Sequence, residues 1–247
     1  MKSDTEIKTG REKFSDFVEA AAHDLHAPLR KLSVLIDRVF IKHADQFDEG
    51  AKEYVNRIEG CIEEMQSLID DLTELAKADV NIENITACDL NLIVKHAIET
   101  MSEEIDRKHA GIQIGSLPTL HGNEIQYGQL FKNLLENAIK FSKKNETVKI
   151  DLQAEAVTRD EKNIFHLPEE KNYYKIEICD NGIGFNNAYA EKIFEPFVRL
   201  HSKSNYEGNG LGLSICKKIV ANHNGIIYAE GNEEAGSQFI LILPETP

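Results

Sequence analysis

The chain has 247 residues, of which 41% are hydrophobic and 28% charged, so most of it can fold around a core and intrinsic disorder is excluded. Forty-two acidic and 28 basic residues give a net charge of −14, which disfavours nucleic acid as a partner because both surfaces are negative. No apolar run reaches the roughly 20 residues of a membrane-spanning helix, no export signal stands at the start, and four widely spaced cysteines indicate reduced thiols in a cytoplasmic protein.

The first part of the chain, residues 11–79, predicts two long amphipathic helices. Apolar residues recur there at alternating steps of three and four, which places them on one face of each helix. They are Val18, Ala22, Leu25, Leu29, Leu32, Ile36 and Val39 in the first helix, and Val55, Ile58, Ile62, Met65, Ile69, Leu72 and Leu75 or Ala76 in the second. A polar turn at 43–50 makes the helices antiparallel, and one hairpin leaves part of each apolar face uncovered. We therefore predict that two hairpins pair into a dimeric four-helix bundle.

His23 and Asp24 lie off the apolar face of the first helix and are predicted to face solvent. Pro28 lies inside the same helix, where its ring clashes with the carbonyl of Asp24 at a cost of roughly 3 kcal/mol. Strain beside an exposed imidazole indicates a functional position. The alternatives are a surface histidine beside an incidental kink and a metal pair formed by His23 and His26.

The pattern changes to mixed α/β from residue 90, after a stretch at 80–89 that breaks the helical repeat and is predicted to be a linker. The predicted helices are 90–108, 123–143, 187–194 and 211–223, and the predicted strands are 111–115, 118–121, 147–155, 173–179, 225–230 and 237–243. A charged connector is expected at 158–171. Strands and helices without strict alternation predict an α/β sandwich, a mixed sheet covered by helices on one side.

Asn133, Asn137 and Lys140 fall at steps of four and three and share one face of a predicted helix. Amide oxygens are hard ligands for magnesium, and an ammonium donates to phosphate, so this face is a candidate magnesium–phosphate site. The alternative is an ordinary solvated polar face.

Asp180, Gly182 and Gly184 follow directly after an apolar strand. The two glycines let the backbone turn and approach a ligand closely, and a carboxylate at the strand end can accept a hydrogen bond from the amino group of adenine. An ordinary Asp-Asn-Gly turn is the alternative.

A second glycine-rich segment contains Gly208, Gly210 and Gly212 and runs through Leu213 into a predicted helix. Free backbone N–H groups and the helix dipole make such a segment an anion site. A dinucleotide-binding motif is excluded because a polar loop precedes the glycines where that motif has a strand, and no Gly-Lys-Ser/Thr follows to form a P-loop.

In this order and spacing the motifs resemble the transmitter region of a two-component sensor histidine kinase. Residues 23–29 resemble its H box, 133–141 the N box, 180–184 and 208–212 its two glycine boxes, and 194–197 the F box. The resemblance implies a dimerisation and histidine phosphotransfer domain at 1–79 and, after the linker at 80–89, a catalytic ATP-binding domain at 90–247. This second domain would be of the type shared with gyrase and heat-shock chaperone ATPases.

The resemblance also implies the role of each residue. His23 would accept the γ-phosphoryl group of ATP, and Asp24 would hold the proton of the other ring nitrogen. The resemblance implies that Asn137 binds Mg²⁺ with support from Asn133, and that Lys140 contacts the phosphates. It implies that Phe141 packs near adenine and that Asp180 recognises the adenine amino group. Further implied nucleotide-binding residues are Gly182, Gly184, Gly208, Gly210, Gly212, Leu213 and Arg199, of which Arg199 would offset phosphate charge.

The partners that the resemblance implies are a second copy of the chain and the receiver domain of a response regulator. The sequence leaves open whether a parent protein carries a sensory or membrane region. One alternative is an ATP hydrolase of the same fold, which is disfavoured because Asn133 stands where such enzymes carry a catalytic glutamate, although Glu136 is near. Another is a non-catalytic ATP-gated dimer, which the presence of His23, Asp24 and Asn137 disfavours. Ala27 replaces a residue that relatives use to remove phosphate from the regulator, so little phosphatase activity is expected.

Overall fold

The computed structural model describes residues 2–78, 84–144, 146–200, 206, 208–233 and 235–247, with the side chains of all but 2–12 and 44. The chain divides into two compact units, Met1–Val80 and Asn81–Pro247.

The first unit is a helical hairpin, as predicted. Helix α1 spans Lys2–His43, a single 3₁₀ turn spans Ala44–Gln46, and helix α2 spans Glu49–Ala78. The start of α2 is stabilised because the Asp48 carboxylate accepts a hydrogen bond from the backbone N–H of Ala51 at 2.7 Å.

Only part of the predicted apolar face of the hairpin is buried within one chain. Val18, Ala22, Leu29 and Ile62 are at most 8% exposed. The apolar side chains of the same faces that remain exposed by more than 40% are Leu25, Leu32, Val39, Ile58, Met65 and Leu72. A continuous apolar stripe on a helical hairpin therefore faces outward.

The second unit contains a five-stranded mixed sheet in the order β2-β4-β5-β7-β6 and a separate two-stranded sheet formed by β1 and β3. Its strands are β1 Thr86–Asp89, β2 Gly111–Ile114, β3 Thr119–Gly122, β4 Lys149–Ala156, β5 Tyr173–Asp180, β6 Ile226–Asn232 and β7 Gly236–Pro244. Its helices are α3 Leu90–Thr100, α4 Ser102–Lys108, α5 Glu124–Lys140, α6 Arg159–Ile164 and α7 Gly212–Asn222. Strands β2 and β4 are parallel, and the other neighbouring pairs are antiparallel.

Helices α3, α5 and α7 pack side by side, and their apolar faces join those of the strands in one core. Leu130, Phe131 and Leu134 of α5 are completely buried, as are Leu152 of β4 and Ile176 of β5. Because the apolar face of α5 is buried in this core, its polar face is held in a fixed position.

Several predicted elements differ from the structure. Residues 86–89 lie in the stretch predicted to be a linker but form β1, which pairs with β3. The helix predicted at 187–194 is two 3₁₀ turns, Asn187–Tyr189 and Lys192–Phe194, and the helix predicted at 90–108 is broken at Met101. The connector at 158–171 contains α6, which begins with a Thr158–Glu161 capping box.

His223 is buried, with 1% exposure, at the end of α7, and its ring stacks on Tyr127 at 4.3 Å between centroids. Its Nδ1 lies 2.8 Å from the carbonyl oxygen of Ile219, and its Nε2 accepts a hydrogen bond from the backbone N–H of Asn123 at 3.0 Å. A carbonyl only accepts, so Nδ1 carries the proton and the ring is neutral. Burial lowers the pKa of His223, although the bond to Ile219 opposes this.

We expect the free energy of unfolding of the second unit to fall below about pH 6.5, where the unfolded chain binds a proton that the folded unit excludes. The contribution of His223 to this loss is at most about 1.4 kcal/mol per pH unit. This loss is measured by urea unfolding at about pH 5.5 and 7.5, with tyrosine circular dichroism as the signal. The signal reports on the second unit because six of the seven tyrosines lie beyond residue 80. His223→Gln should reduce the pH dependence, and the exposed control His96→Gln should keep it. Equal slopes for wild type and His223→Gln would contradict this account.

Candidate functional site

His23 lies on the outer surface of α1, and its side chain is 86% exposed. Its Nδ1 is 3.4 Å from Oδ1 of Asp24, a long contact between neighbouring exposed groups. When Nδ1–H is donated to this carboxylate, the lone pair of the ring is on Nε2, which faces away from Asp24. Pro28 lies within α1, so the backbone carbonyl of Asp24 lacks its usual helical donor. The imidazole is therefore accessible and has a carboxylate beside it.

A cleft of about 510 Å³ opens between α1 and α2 next to His23. Its lining side chains are His23, His26, Ala27, Arg30, Gln66 and Asp70. Nε2 of His26 lies 3.2 Å from Oδ1 of Asp70 on the opposite helix. Across the described residues, no group of three or more His, Cys, Asp or Glu side chains is placed to hold a metal. His26 thus contacts Asp70 across the hairpin.

In the second unit, the polar face of α5 carries Asn133, Asn137 and Lys140 as predicted by their spacing. Asn133 donates from Nδ2 to the carbonyl oxygen of Gly212 at 3.4 Å, which connects α5 to the start of α7. The side chain of Asn137 makes no hydrogen bond to the described part of the chain, so its amide oxygen is available. Nζ of Lys140 lies 4.7 Å from the ring centroid of Phe141.

The end of α5 contacts the turn that follows β5. The backbone N–H of Ile183 donates to the carbonyl of Phe141 at 3.0 Å. A Cβ at Gly182 would collide with the same carbonyl, which explains why glycine is required there. The Phe141 ring lies 5.2 Å from that of Tyr206. Two motifs about 40 residues apart in sequence therefore form one surface.

Asp180 ends β5 with its carboxylate held by backbone donors. Its Oδ1 accepts hydrogen bonds from the N–H of Gly182 at 2.8 Å and of Ser237 at 3.2 Å. Burial raises the pKa of Asp180, and the bonds from Gly182 and Ser237 oppose this by favouring the charged form. The carboxylate therefore has a defined orientation at the end of β5, the central strand of the sheet.

The second glycine segment also has a special backbone. Gly208 and Gly210 have φ values of +119° and +76°, and a Cβ at Gly208 would collide with Nζ of Lys140. Nη2 of Arg199 donates to the carbonyl of Tyr206 at 2.7 Å, so Arg199 supports this segment. Gly212 begins α7, with Leu213 in its first turn. The segment thus passes close to Lys140 of α5 at Gly208 before it enters α7 at Gly212.

Three further positions build the site and were not predicted from the sequence. Ser237 holds Asp180, and Gly236, at φ +111°, packs so closely on the Asp180 backbone that a Cβ would clash. Asn181 holds the next strand by accepting from the N–H of Lys149 at 2.8 Å and donating to the carbonyl of Thr147 at 2.9 Å. The pairing of β5 with β7 places Asp180 opposite Ser237, and no local pattern indicates that register.

Two family profiles match the chain. The "His Kinase A (phospho-acceptor) domain" matches residues 15–81, and the "Histidine kinase-, DNA gyrase B-, and HSP90-like ATPase" matches residues 122–247. The chain belongs to the two-component sensor histidine kinases. The resemblance drawn from the five motifs is confirmed, and this histidine kinase region contains an ATPase-type domain of the family.

Among curated relatives, the histidine kinase region is 34% identical to phytochrome-like protein Cph1 of Synechocystis sp., over 92% of this chain and 29% of that protein. It is 31% identical to cyanobacterial phytochrome A of Nostoc sp., over 97% of this chain and 29% of that protein. The chain therefore spans less than a third of the length of these relatives.

Solved histidine kinases have the same fold. The match to full-length ShkA in complex with AMPPNP covers 93% of this chain and 45% of the ShkA chain, with a TM-score of 0.64 and 20% identity. The match to ThkA, solved in complex with the response regulator TrrA, covers 99% of this chain and 66% of the matched chain, with a TM-score of 0.62 and 22% identity. The predicted helical hairpin followed by a mixed α/β domain of this ATPase type is confirmed. Over the described residues, no helix is long and apolar enough to cross a membrane.

Proposed function

We propose that this histidine kinase region binds ATP with Mg²⁺, transfers the γ-phosphoryl group to His23, and passes it to an aspartate of a response regulator receiver domain. The observation that carries the proposal is the exposed His23 imidazole with Asp24 beside Nδ1, within the segment that matches the phospho-acceptor family. The cytoplasmic location expected from the sequence stays a prediction.

In the first reaction, the lone pair of His23 Nε2 attacks the γ-phosphorus, a P–N bond forms, and the bond to the leaving oxygen of ADP breaks. The proton on Nδ1 stays directed to Asp24, whose negative charge offsets the positive charge that develops on the ring. Most of the rate enhancement in phosphoryl transfer comes from positioning and charge compensation, so the chain needs few groups that exchange protons.

The arrangement at the end of β5 and beside α5 fits a bound adenine nucleotide. A partly buried Asp180 carboxylate, oriented by the N–H groups of Gly182 and Ser237, can accept from an exocyclic amino group. Lys140 near Gly208 supplies a cation for phosphates, and Phe141 supplies an aromatic surface. Arg199 would offset phosphate charge, although its contact with Tyr206 also supports a role in shaping the segment.

The residues present also fit a magnesium ion. The Asn137 amide oxygen is a hard ligand without a partner in the described part of the chain, and Asn133 is held one turn away on the same face. Bound Mg²⁺ would neutralise phosphate charge. Asn133 would support Asn137 by keeping this face of α5 in register with α7.

Dimerisation follows from the exposed apolar stripe of the hairpin. We expect the full chain to have the mass of two chains by light scattering, because Leu25, Leu32 and Met65 otherwise face water. Leu32→Glu should give the mass of one chain, since a symmetric dimer would bury two unpaired carboxylates. Ile125→Glu is the matched control, at a side chain that is 83% exposed on α5, and should stay dimeric. A monomeric wild type at tens of micromolar, or a dimeric Leu32→Glu, would refute this prediction.

Labelling with γ-³²P-ATP tests the proposed function. A histidine kinase gains a label that is stable in base and lost in acid, as expected for a phosphoramidate. An ATP hydrolase releases phosphate without retaining label, and an ATP-gated dimer does neither. The proposed transfer to a response regulator is supported by the family and by the ThkA–TrrA complex. Transfer of label from the kinase to an isolated receiver domain tests it.

A further inference from the structure

Two basic side chains follow His23 on the same face of α1. His26 and Arg30 lie three and seven residues after His23, and all three line the cleft between α1 and α2. Side chains in a helix lean toward its N-terminus, so a long side chain at Arg30 can reach along the cleft toward His23. Ala27, between them, has only a methyl group and leaves the cleft open.

The acidic side chain in this lining is already paired. Asp70 lies 3.2 Å from Nε2 of His26, on the opposite side of the cleft from α1. Within the described side chains, Arg30 makes no ion pair or hydrogen bond. The cleft beside His23 therefore has a guanidinium that makes no ion pair or hydrogen bond with the described side chains, and its volume of about 510 Å³ is far larger than a phosphoryl group requires.

We propose that Arg30 binds the phosphoryl group that His23 carries and acts as a positioning residue for it, an inference that rests on the proposed function. A guanidinium presents parallel N–H groups that match two oxygens of a phosphoryl group, and Gln66 on the facing helix can donate a further hydrogen bond. Arg30 takes no part in bond making or breaking. It stabilises phosphorylated His23 relative to free His23 and so shifts the balance of a reversible reaction with ADP.

The test measures the equilibrium constant for the reversible phosphorylation of His23 by ATP. The full chain is labelled with γ-³²P-ATP at a fixed ratio of ATP to ADP, and the acid-labile label is measured at its plateau. We expect the equilibrium constant for Arg30→Met to be about three- to fivefold below wild type, as for an exposed charged contact. Arg30→Lys should keep most of the wild-type value, because the cation is retained. Arg38→Met, at an exposed arginine further along α1 and outside the cleft, should leave the plateau unchanged.

The effect of Arg30 must be on the equilibrium and not only on folding or nucleotide affinity. ATP affinity and dimer mass are therefore measured for each variant and should equal those of the wild type. Equal plateaus for Arg30→Met and wild type would overturn the proposal for Arg30 alone, as would an equal fall in Arg30→Met and Arg38→Met. Absence of acid-labile label on the wild type would instead overturn the proposed function, and this inference with it.

Discussion

His23→Gln is expected to carry no acid-labile phosphate after incubation with γ-³²P-ATP, while it binds ATP with the affinity of the wild type. A glutamine amide is not nucleophilic and cannot form a phosphoramidate. Nucleotide affinity should persist because His23 lies in the hairpin, whereas Asp180, Asn137 and Lys140 belong to the second unit. Acid-labile label and ATP titration calorimetry on the same preparation measure the two properties.

His26→Gln is the matched control for that experiment, since it makes the same change three residues away in the same cleft. It should keep acid-labile label. Label on His23→Gln, or its loss from His26→Gln alone, would show that a different histidine accepts the phosphoryl group.

Asp180→Asn is expected to weaken ATP binding by roughly ten- to a hundredfold, the value of a hydrogen bond to a charged group. The amide can still accept from the N–H groups of Gly182 and Ser237, so the turn should keep its shape. The atom presented to adenine then becomes a donor or a weaker acceptor. Calorimetric titration with ATP and with GTP measures the two affinities. The variant should also lose most of the preference for ATP over GTP.

Asp151→Asn provides the control, because Asp151 lies on the neighbouring strand β4, opposite Cys179 in the β4–β5 ladder. It removes the same charge close to β5 without touching the turn at 180–184. Its ATP affinity should stay within about twofold of wild type, a surface charge effect. Unchanged affinity in Asp180→Asn, or an equal loss in Asp151→Asn, would contradict the assignment of Asp180 to adenine.

Local periodicity was sufficient to predict the elements that depend on one helix face. Alternating apolar steps predicted the hairpin, and the offset of His23 and Asp24 from those steps predicted that both face solvent. The same rule placed Asn133 and Asn137 on one face of α5. In each case the relevant neighbours are three or four residues apart, and helix geometry alone relates them.

Two elements without such periodicity were mispredicted, at 86–89 and at 187–194. Strand β1 has four residues and depends on its pairing with β3, whose partner residues run from Thr119 to Gly122, far away in sequence. A helix was predicted at 187–194, but that stretch forms two short 3₁₀ turns, with Ile193 and Phe194 buried in the unit. Tertiary packing therefore overrode local preference.

By itself, the sequence determined the two-part organisation, the exposed His23 and the family, because these depend on helix period and on motifs of a few adjacent residues. Only the tertiary structure decided which distant groups meet. Ser237 holds Asp180 through the register of β5 and β7, and Asp70 pairs with His26 through the packing of α1 on α2. These contacts join residues more than 40 positions apart, and they form only when the intervening chain has folded.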